Sequence, residues 1–242
     1  MKEQLILAAP IAVLLYVTLA FQKPDLQDTD HFAGTWEIKK GTEEQVLLFI
    51  DGYFTNTVYD KKNRRFFQTS GGSYSIGNDK LNITYEFDTE NKERVGQTVS
   101  YSAHIKNKKL MATINGAEEI WNKIDEGNSD LSGLWTITAR KQEGRLVSIH
   151  QTDTRKTVKI LSGTRFQWAA IDPGTKQFMG TGGGTFTFVN GTYTENIAFF
   201  SRDSSRVGST LTFDGKLENG DWHHSGLSSK GDPIYEIWSR KN

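Results

Sequence analysis

Cysteine is absent from this 242-residue chain. Its absence excludes disulfide bonds, thiolate metal sites, thiol nucleophiles and attachment of a lipid to an N-terminal cysteine. An excess of charge is missing as well, because 29 lysines and arginines balance 29 aspartates and glutamates. The basic residues are scattered along the chain, so we expect no binding of nucleic acid.

A long apolar run occurs only near the N-terminus, where Lys2 precedes an apolar stretch over residues 5–20. The stretch ends in Thr-Leu-Ala, whose small last residue suits a signal peptidase, and it predicts an export signal over residues 1–22. Exported protein would be periplasmic or secreted. Pro10 interrupts the stretch, which is short for a spanning helix; an uncleaved helix that attaches the protein to the membrane is the alternative. Residues 23–30 are then a polar linker.

The rest of the chain contains one pattern twice. A glycine pair at 71–72 and a Val-Gly pair at 95–96 recur with the same spacing at 183–184 and 207–208. The offset between the copies is far too long for a solenoid repeat and matches a small domain. The chain is therefore predicted to hold two tandem copies of one domain, and each copy serves as a control for the other.

Alternation of apolar and polar residues recurs in both copies, and no helical period does. In residues 193–199, for example, Tyr, Glu, Ile and Phe share one face. Asn190-Gly191 is a strong signal for a two-residue hairpin turn. Short strands linked by hairpins favour an antiparallel meander, and closure into a barrel removes its exposed edges. We predict an all-β chain of two small up-and-down barrels, over residues 31–125 and 130–242.

Each copy opens on Gly-x-Trp, with Gly34 and Trp36 in the first and Gly133 and Trp135 in the second, and each closes on Glu-Ile-Trp. This bracketing resembles the lipocalins of the calycin superfamily. The resemblance is closest to bacterial lipocalin-like domains of unknown function, through the second copy's Gly-Gly-Gly-Thr-Phe-Thr and Gly-Thr-Tyr-Thr-Glu-Asn runs. It implies barrels in which the first tryptophan plugs one end.

The resemblance also implies an arginine that stacks on the plugging tryptophan. Arg240 is the matching residue for Trp135, and the first copy has Lys123 at the corresponding place beside Trp36. A guanidinium over an indole face contributes about 1 kcal/mol. We interpret both pairs as structural.

The two copies differ on a face that should point into the barrel. The alternation places Tyr193, Glu195, Ile197 and Phe199 together, whereas the first copy is apolar at these positions. Glu195 should therefore lie inside the second barrel, where a carboxylate needs a partner. If Glu195 lines a pocket, Glu195→Ala is expected to leave the fold intact and to weaken ligand uptake.

Two further differences fall on separate strands of the second copy. Trp222-His223-His224 replaces Leu-Met-Ala, and only His224 can share the face of Trp222, so we expect His224 to join Glu195. Trp168 replaces an asparagine. A structural explanation also exists for each difference, with the tryptophans in the core, the histidines in solvent and the glutamate bonded at a barrel rim. The predicted ligand-binding residues are Phe166, Trp168, Tyr193, Glu195, Ile197, Trp222 and His224.

Two classes of function fit this pattern. The first is an exported binding protein that holds a small, mainly apolar molecule in the second barrel. The second is a structural or interaction module of the cell envelope with two filled barrels. A third class is a barrel enzyme that uses Glu195 and His224 as proton donor and acceptor.

Cofactor and metal motifs are missing from the sequence. The glycine cluster at 180–184 leads into a strand, so it lacks the helix N-terminus that holds phosphate. Adjacent histidines on a strand diverge, and this disfavours zinc. We therefore expect no cofactor and no metal.

Overall fold

The computed structural model describes residues 31–77, 80–114, 116–149, 154–228 and 230–240. The predicted export signal or anchor helix and the predicted linker lie outside the described residues. Within the described ranges, no helix has the length and apolarity that crossing a membrane requires.

The first barrel has eight antiparallel strands that pair in chain order. They are β1 (Gly34–Lys40), β2 (Glu43–Ile50), β3 (Tyr53–Asp60), β4 (Arg65–Gly77), β5 (Lys80–Asp88), β6 (Thr98–Lys106), β7 (Lys109–Ala112) and β8 (Glu119–Asp125). The barrel closes because β8 returns to pair with β1.

The second barrel repeats this topology with one strand added. Its strands are β9 (Gly133–Gln142), β10 (Arg145–Ser148), β11 (Lys156–Leu161), β12 (Arg165–Asp172), β13 (Gln177–Val189), β14 (Thr192–Phe200), β15 (Thr210–Glu218), β16 (Asp221–Leu227) and β17 (Pro233–Arg240). Strand β17 pairs with β9 and closes the barrel, and β10 pairs only with β9. The prediction of an all-β chain with two tandem closed antiparallel barrels is confirmed.

The added strand belongs to an insertion near the start of the second barrel. Trp36 pairs with Leu47 on the next strand, whereas Trp135 pairs with Lys159, which lies much further along the chain. The second copy therefore has extra residues between these two positions. Among the described residues, they extend β9 and form β10.

The hairpin between β13 and β14 follows from its two turn residues. Asn190 and Gly191 have φ values of 50° and 77°, which suit the type I′ turn that matches the twist of paired strands. The turn predicted from the Asn-Gly pair is therefore confirmed.

The glycine cluster at 180–184, within β13, marks a close approach of two strands. A Cβ on Gly184 would collide with the backbone carbonyl of Asn196 on β14, and Gly72 has the same relation to Thr84 in the first barrel. A strand crossing, rather than a phosphate loop, explains the cluster.

A bulge in β14 changes which residues face inward. The pairing of β13 with β14 shifts by one residue, so that Gly184 lies opposite Ile197 and Gly183 opposite Phe199. An extra residue in one strand reverses the alternation beyond it. Ile197 packs in the barrel interior while Phe199 packs on the outer face. The prediction that Phe199 shares the inward face of Glu195 is therefore wrong.

Each barrel is closed at one end by its first tryptophan. The indole N–H of Trp36 donates to the carbonyl of Phe32, and that of Trp135 donates to the carbonyl of Leu131, both at 2.8 Å. The Arg240 guanidinium lies 4.5 Å from the centre of the Trp135 ring. The Lys123 ammonium lies 4.8 Å from that of Trp36. Each cation therefore lies against the tryptophan that closes its own barrel.

The outer faces of the two barrels share one hydrophobic cluster. Tyr59 stacks on Phe199 with ring centroids 4.9 Å apart, and Phe87 stacks on Phe178 at 6.1 Å. The buried members of the cluster are Val46, Leu48, Ile50, Tyr53, Tyr59, Phe87, Leu134, Val158, Ile160, Ala169, Ile171, Ala198 and Phe199. Because this apolar surface is continuous across the interface, the barrels are packed against each other as a domain core is packed.

The side-chain amide of a buried glutamine forms hydrogen bonds with both barrels at the same interface. Gln167 of β12 accepts a hydrogen bond from Thr57 at 2.8 Å and donates to Thr69 at 3.0 Å and Thr181 at 3.1 Å. Thr57 and Thr69 belong to the first barrel and Thr181 to the second. All four residues are buried, so loss of the amide would leave hydroxyl groups with fewer partners.

We expect the two barrels to unfold in one cooperative transition, and Gln167→Ala to lower the free energy of unfolding by about 1–3 kcal/mol. Gln97→Ala is the matched control, because Gln97 is exposed. Urea unfolding followed by circular dichroism and tryptophan fluorescence measures both effects. Separate transitions for the two barrels, or equal effects of the two variants, would contradict the shared interface.

Candidate functional site

The interiors of the two barrels differ in how completely they are filled. In the first, aromatic and aliphatic side chains pack into one core cluster, and the space beside Tyr85 and Arg94 at its open end is only about 20 Å³. The second barrel contains a cavity of about 380 Å³. A third space, about 510 Å³, lies at the plugged end of the first barrel beside Trp36 and Lys123.

The wall of the second barrel's cavity has apolar and polar residues in equal number, and apolar atoms make up the larger part of its surface. Its apolar residues are Ile137, Trp168, Ile197, Phe200, Leu211, Phe213, Ile234 and Trp238, and its polar residues are Arg140, Thr157, Lys159, Glu195, Arg206, Ser228, His224 and Glu236. A volume of this size is typical of small-molecule pockets.

A buried ion pair crosses the interior of this barrel. The Lys159 ammonium lies 2.5 Å from Oε1 of Glu195, and the two residues are 4 % and 6 % exposed. Tyr193 donates its hydroxyl proton to the same carboxylate oxygen at 2.9 Å. Burial, followed by the negative charge of Glu195, raises the pKa of Tyr193 well above its ordinary value. The carboxylate therefore has two donors, and the tyrosine stays protonated.

Aromatic rings surround the ammonium group of Lys159. Its nitrogen lies 5.0 Å from the ring centre of Tyr193, 5.1 Å from that of Trp222, 5.3 Å from that of Phe166 and 5.5 Å from that of Trp238. The negative faces of aromatic rings attract a cation, most strongly where water is excluded. The rings and Glu195 together compensate a buried charge that neither would compensate alone.

His224 is a further buried titratable group of this interior. It is 3 % exposed and lies between Phe213 and Trp222, at centroid distances of 4.2 and 5.1 Å. Its Nδ1 is 3.4 Å from Oε2 of Glu236, and this oxygen accepts a hydrogen bond from the Trp238 indole at 3.0 Å. Burial lowers the pKa of His224, although the Glu236 carboxylate opposes the shift. We therefore take the ring as neutral at pH 7.

The open end of the barrel carries two arginines. Arg140 lies on the extended part of β9, and Arg206 lies in a short 3-10 turn, Ser204–Arg206, where its Nε is 2.9 Å from Oδ2 of Asp203. The inserted strand β10 is exposed along its whole length and lies beside Arg140. The mouth of the cavity is therefore polar, while its interior combines apolar side chains with buried polar groups.

The structure brings most of the sequence-predicted residues to this interior. Trp168, Glu195, Ile197 and His224 line the cavity. The other three, Phe166, Tyr193 and Trp222, pack in the core cluster around the Lys159 ammonium. Of the two adjacent histidines, only His224 faces inward, since His223 bonds the Tyr235 hydroxyl at 2.7 Å.

Glu195 and His224 share the cavity wall, as the alternation leads one to expect. Their bonded partners differ, because Glu195 bonds Lys159 and Tyr193, while His224 lies against the Glu236 carboxylate. The physical reason is that Lys159 and Tyr193 both donate hydrogen bonds to Oε1 of Glu195, so this oxygen is already satisfied.

Lys159 and Glu236 were missed from the sequence. Lys159 occupies the position that Leu47 has in the first copy, at the same offset as the repeated glycine pairs, so the comparison of the two copies contained the signal. Glu236 matches Glu119 in the repeated Glu-Ile-Trp, and a residue present in both copies is naturally interpreted as serving the fold.

The chain is thus an all-β protein of two closed eight-stranded antiparallel barrels, of which the second holds an apolar cavity with buried charged and polar groups. No protein-family model matches it, and a comparison with curated proteins finds no significant similarity.

Proposed function

We propose that the second barrel binds a small, mainly apolar molecule, as a lipocalin-like barrel would, and that the first barrel is its filled structural partner. The observation that carries the proposal is the contrast between two copies of one fold in one chain. The first interior is packed with side chains, whereas the second leaves about 380 Å³ open.

Differences at equivalent positions support this proposal. Ala112 of the first barrel pairs with Glu119, and His224 of the second pairs with Glu236 in the same way. The second barrel thus has a polar ring where the first has a methyl group. Polar groups inside a barrel destabilise it unless they are bonded, so their presence beside an open cavity favours recognition of a ligand over a purely structural role.

The alternative functions have less support. A structural module with filled barrels fits the first barrel and leaves the cavity of the second unexplained. A barrel enzyme would need Glu195 to exchange protons with substrate or with His224. That carboxylate instead bonds Lys159 and Tyr193.

We expect saturable binding of the fluorescent probe N-phenyl-1-naphthylamine, with energy transfer from Trp168 and Trp238 in the cavity wall. Ile234→Trp should weaken this binding at least about tenfold, because a larger side chain fills space that the ligand needs. Ile120→Trp is the matched control, since Ile120 is 53 % exposed on the corresponding last strand of the first barrel.

Fluorescence titration of the purified protein and of both variants measures this effect. Failure of the wild-type protein to bind the probe with saturation would count against a ligand-binding cavity. Equal weakening by both substitutions would place the probe elsewhere on the molecule.

A further inference from the structure

His224 is the one cavity-lining residue, among those the structure describes, whose buried ring nitrogens both lack a hydrogen-bond partner. Nδ1 lies 3.4 Å from Oε2 of Glu236, a polar contact longer than a typical hydrogen bond. Nε2 has no such neighbour among the described residues. Buried polar groups in native proteins are almost always bonded. The His224 ring therefore leaves a hydrogen-bonding requirement unmet in the wall of the cavity.

The surroundings of His224 determine which ring nitrogen carries the proton. Burial by itself would raise the pKa of Glu236, but the polar contact with His224 and the positive charge of Lys159 lower it, so Glu236 is an ionised carboxylate. A carboxylate only accepts hydrogen bonds. The neutral imidazole therefore has its single proton on Nδ1, directed at Glu236. Nε2 is left as a lone-pair acceptor.

The charges inside the cavity leave little room for a charged ligand. Lys159 and Glu195 neutralise each other at 2.5 Å. Glu236 already accepts a bond from Trp238 and faces His224. A ligand carboxylate or ammonium at this depth would lose its hydration without gaining an unpaired counter-charge, which is costly in an apolar site. Arg140 and Arg206 could attract an anionic group only at the mouth.

We propose that the ligand of this cavity is an uncharged, mainly apolar molecule with a hydrogen-bond donor, such as a hydroxyl or an amide N–H, that binds Nε2 of His224. This inference rests on the proposed binding function and adds the chemical class of the ligand. The donor requirement follows from the tautomer, and the neutral charge follows from the Lys159–Glu195 pair.

Four ten-carbon probes of similar length test this proposal: decan-1-ol, nonyl methyl ether, decanoate and decylamine. Each is titrated against the bound naphthylamine probe at pH 7, with the wild-type protein and with His224→Phe. In the wild type, decan-1-ol should displace the probe at about tenfold lower concentration than the ether, because only the alcohol bonds the buried acceptor. The ether is the more apolar molecule, so the hydrophobic effect alone would favour it.

His224→Phe removes the acceptor and keeps a flat ring among the aromatic neighbours. The alcohol and the ether should then differ by less than about twofold. If the variant fails to fold, the comparison of alcohol with ether in the wild type still decides the donor requirement, and the charged probes decide the charge requirement.

The outcomes separate the two proposals. If no probe displaces the naphthylamine and the naphthylamine itself does not bind, the proposed binding function fails. If the probes bind but decanoate or decylamine is tightest, or the ether equals the alcohol, the binding function stands and the ligand class inferred here is wrong. An alcohol preference that persists in His224→Phe would also overturn the assignment to Nε2.

Discussion

Replacing Glu195 by isoleucine is expected to lower the free energy of unfolding by about 3–5 kcal/mol, because the substitution leaves the Lys159 ammonium buried without its counter-charge. The side chains of the pair are 5 % and 7 % exposed, so water cannot replace the lost carboxylate. Tyr193 would also lose its acceptor. Glu195→Ala should destabilise the protein for the same reason, which revises the expectation from the sequence that this variant keeps its fold.

The first barrel supplies the control for this experiment. Its residues at the two equivalent positions are Leu47 and Ile83, which pack in an apolar core. The double variant Lys159→Leu/Glu195→Ile should therefore recover most of the stability that Glu195→Ile loses, because an apolar pair replaces a buried ion pair without an unpaired charge.

Urea unfolding of the wild type, both single variants and the double variant measures the coupling between the two residues. The coupling free energy should be about 2 kcal/mol or more. It should favour the wild type and the double variant, whose pairs match in character, over the two single variants. Additive effects of the two single substitutions would mean that the ion pair seen in the barrel interior contributes nothing to its stability.

Trp135→Ala is expected to destabilise the protein by about 3–5 kcal/mol, since it opens a large cavity at the closed end of the second barrel. The Trp135 side chain is fully buried, packs edge-on against Trp222 at 5.8 Å and donates to the Leu131 carbonyl. All three contributions disappear together. Because the barrels share a hydrophobic cluster, we expect the loss to appear in the unfolding of the whole chain.

Arg240→Ala is the control for this second prediction. Its side chain is 40 % exposed, and a cation over a ring at such a site contributes about 0.5–1 kcal/mol. The loss of unfolding free energy should therefore be several-fold larger for Trp135→Ala than for Arg240→Ala. Thermal and urea unfolding of the two variants measures this difference. A neutral Trp135→Ala, or an Arg240→Ala as severe as it, would refute the role of the tryptophan as the plug.

Local patterns in the sequence predicted the fold well. Alternation, the Asn190–Gly191 turn and the doubled Gly-x-Trp are short-range signals, and each depends on geometry within one strand or one hairpin. The inward position of His224 followed from the same alternation. Phe199 shows the limit of this argument, because a single extra residue at a bulge reverses the facing of all that follows, and the sequence does not mark the bulge.

The contacts across the barrel interior were predicted less well. Lys159 and Glu195 are 36 residues apart and lie on strands that are not paired with each other. The alternation along each strand indicates which face a residue is on. It does not give the depth of either side chain in the barrel or the direction in which that side chain crosses the interior. The bonded partner of Glu195 could not be predicted from the sequence for that reason.

The sequence by itself determined two tandem antiparallel barrels with a tryptophan at the start of each, because strand period, turn chemistry and internal repetition are written in neighbouring residues. Only the tertiary structure decided that Lys159 is the partner of Glu195, that His224 keeps an unpaired nitrogen beside a cavity, and that the barrels share an apolar interface. These features depend on distances between side chains far apart in the chain, and closure of the barrel sets those distances.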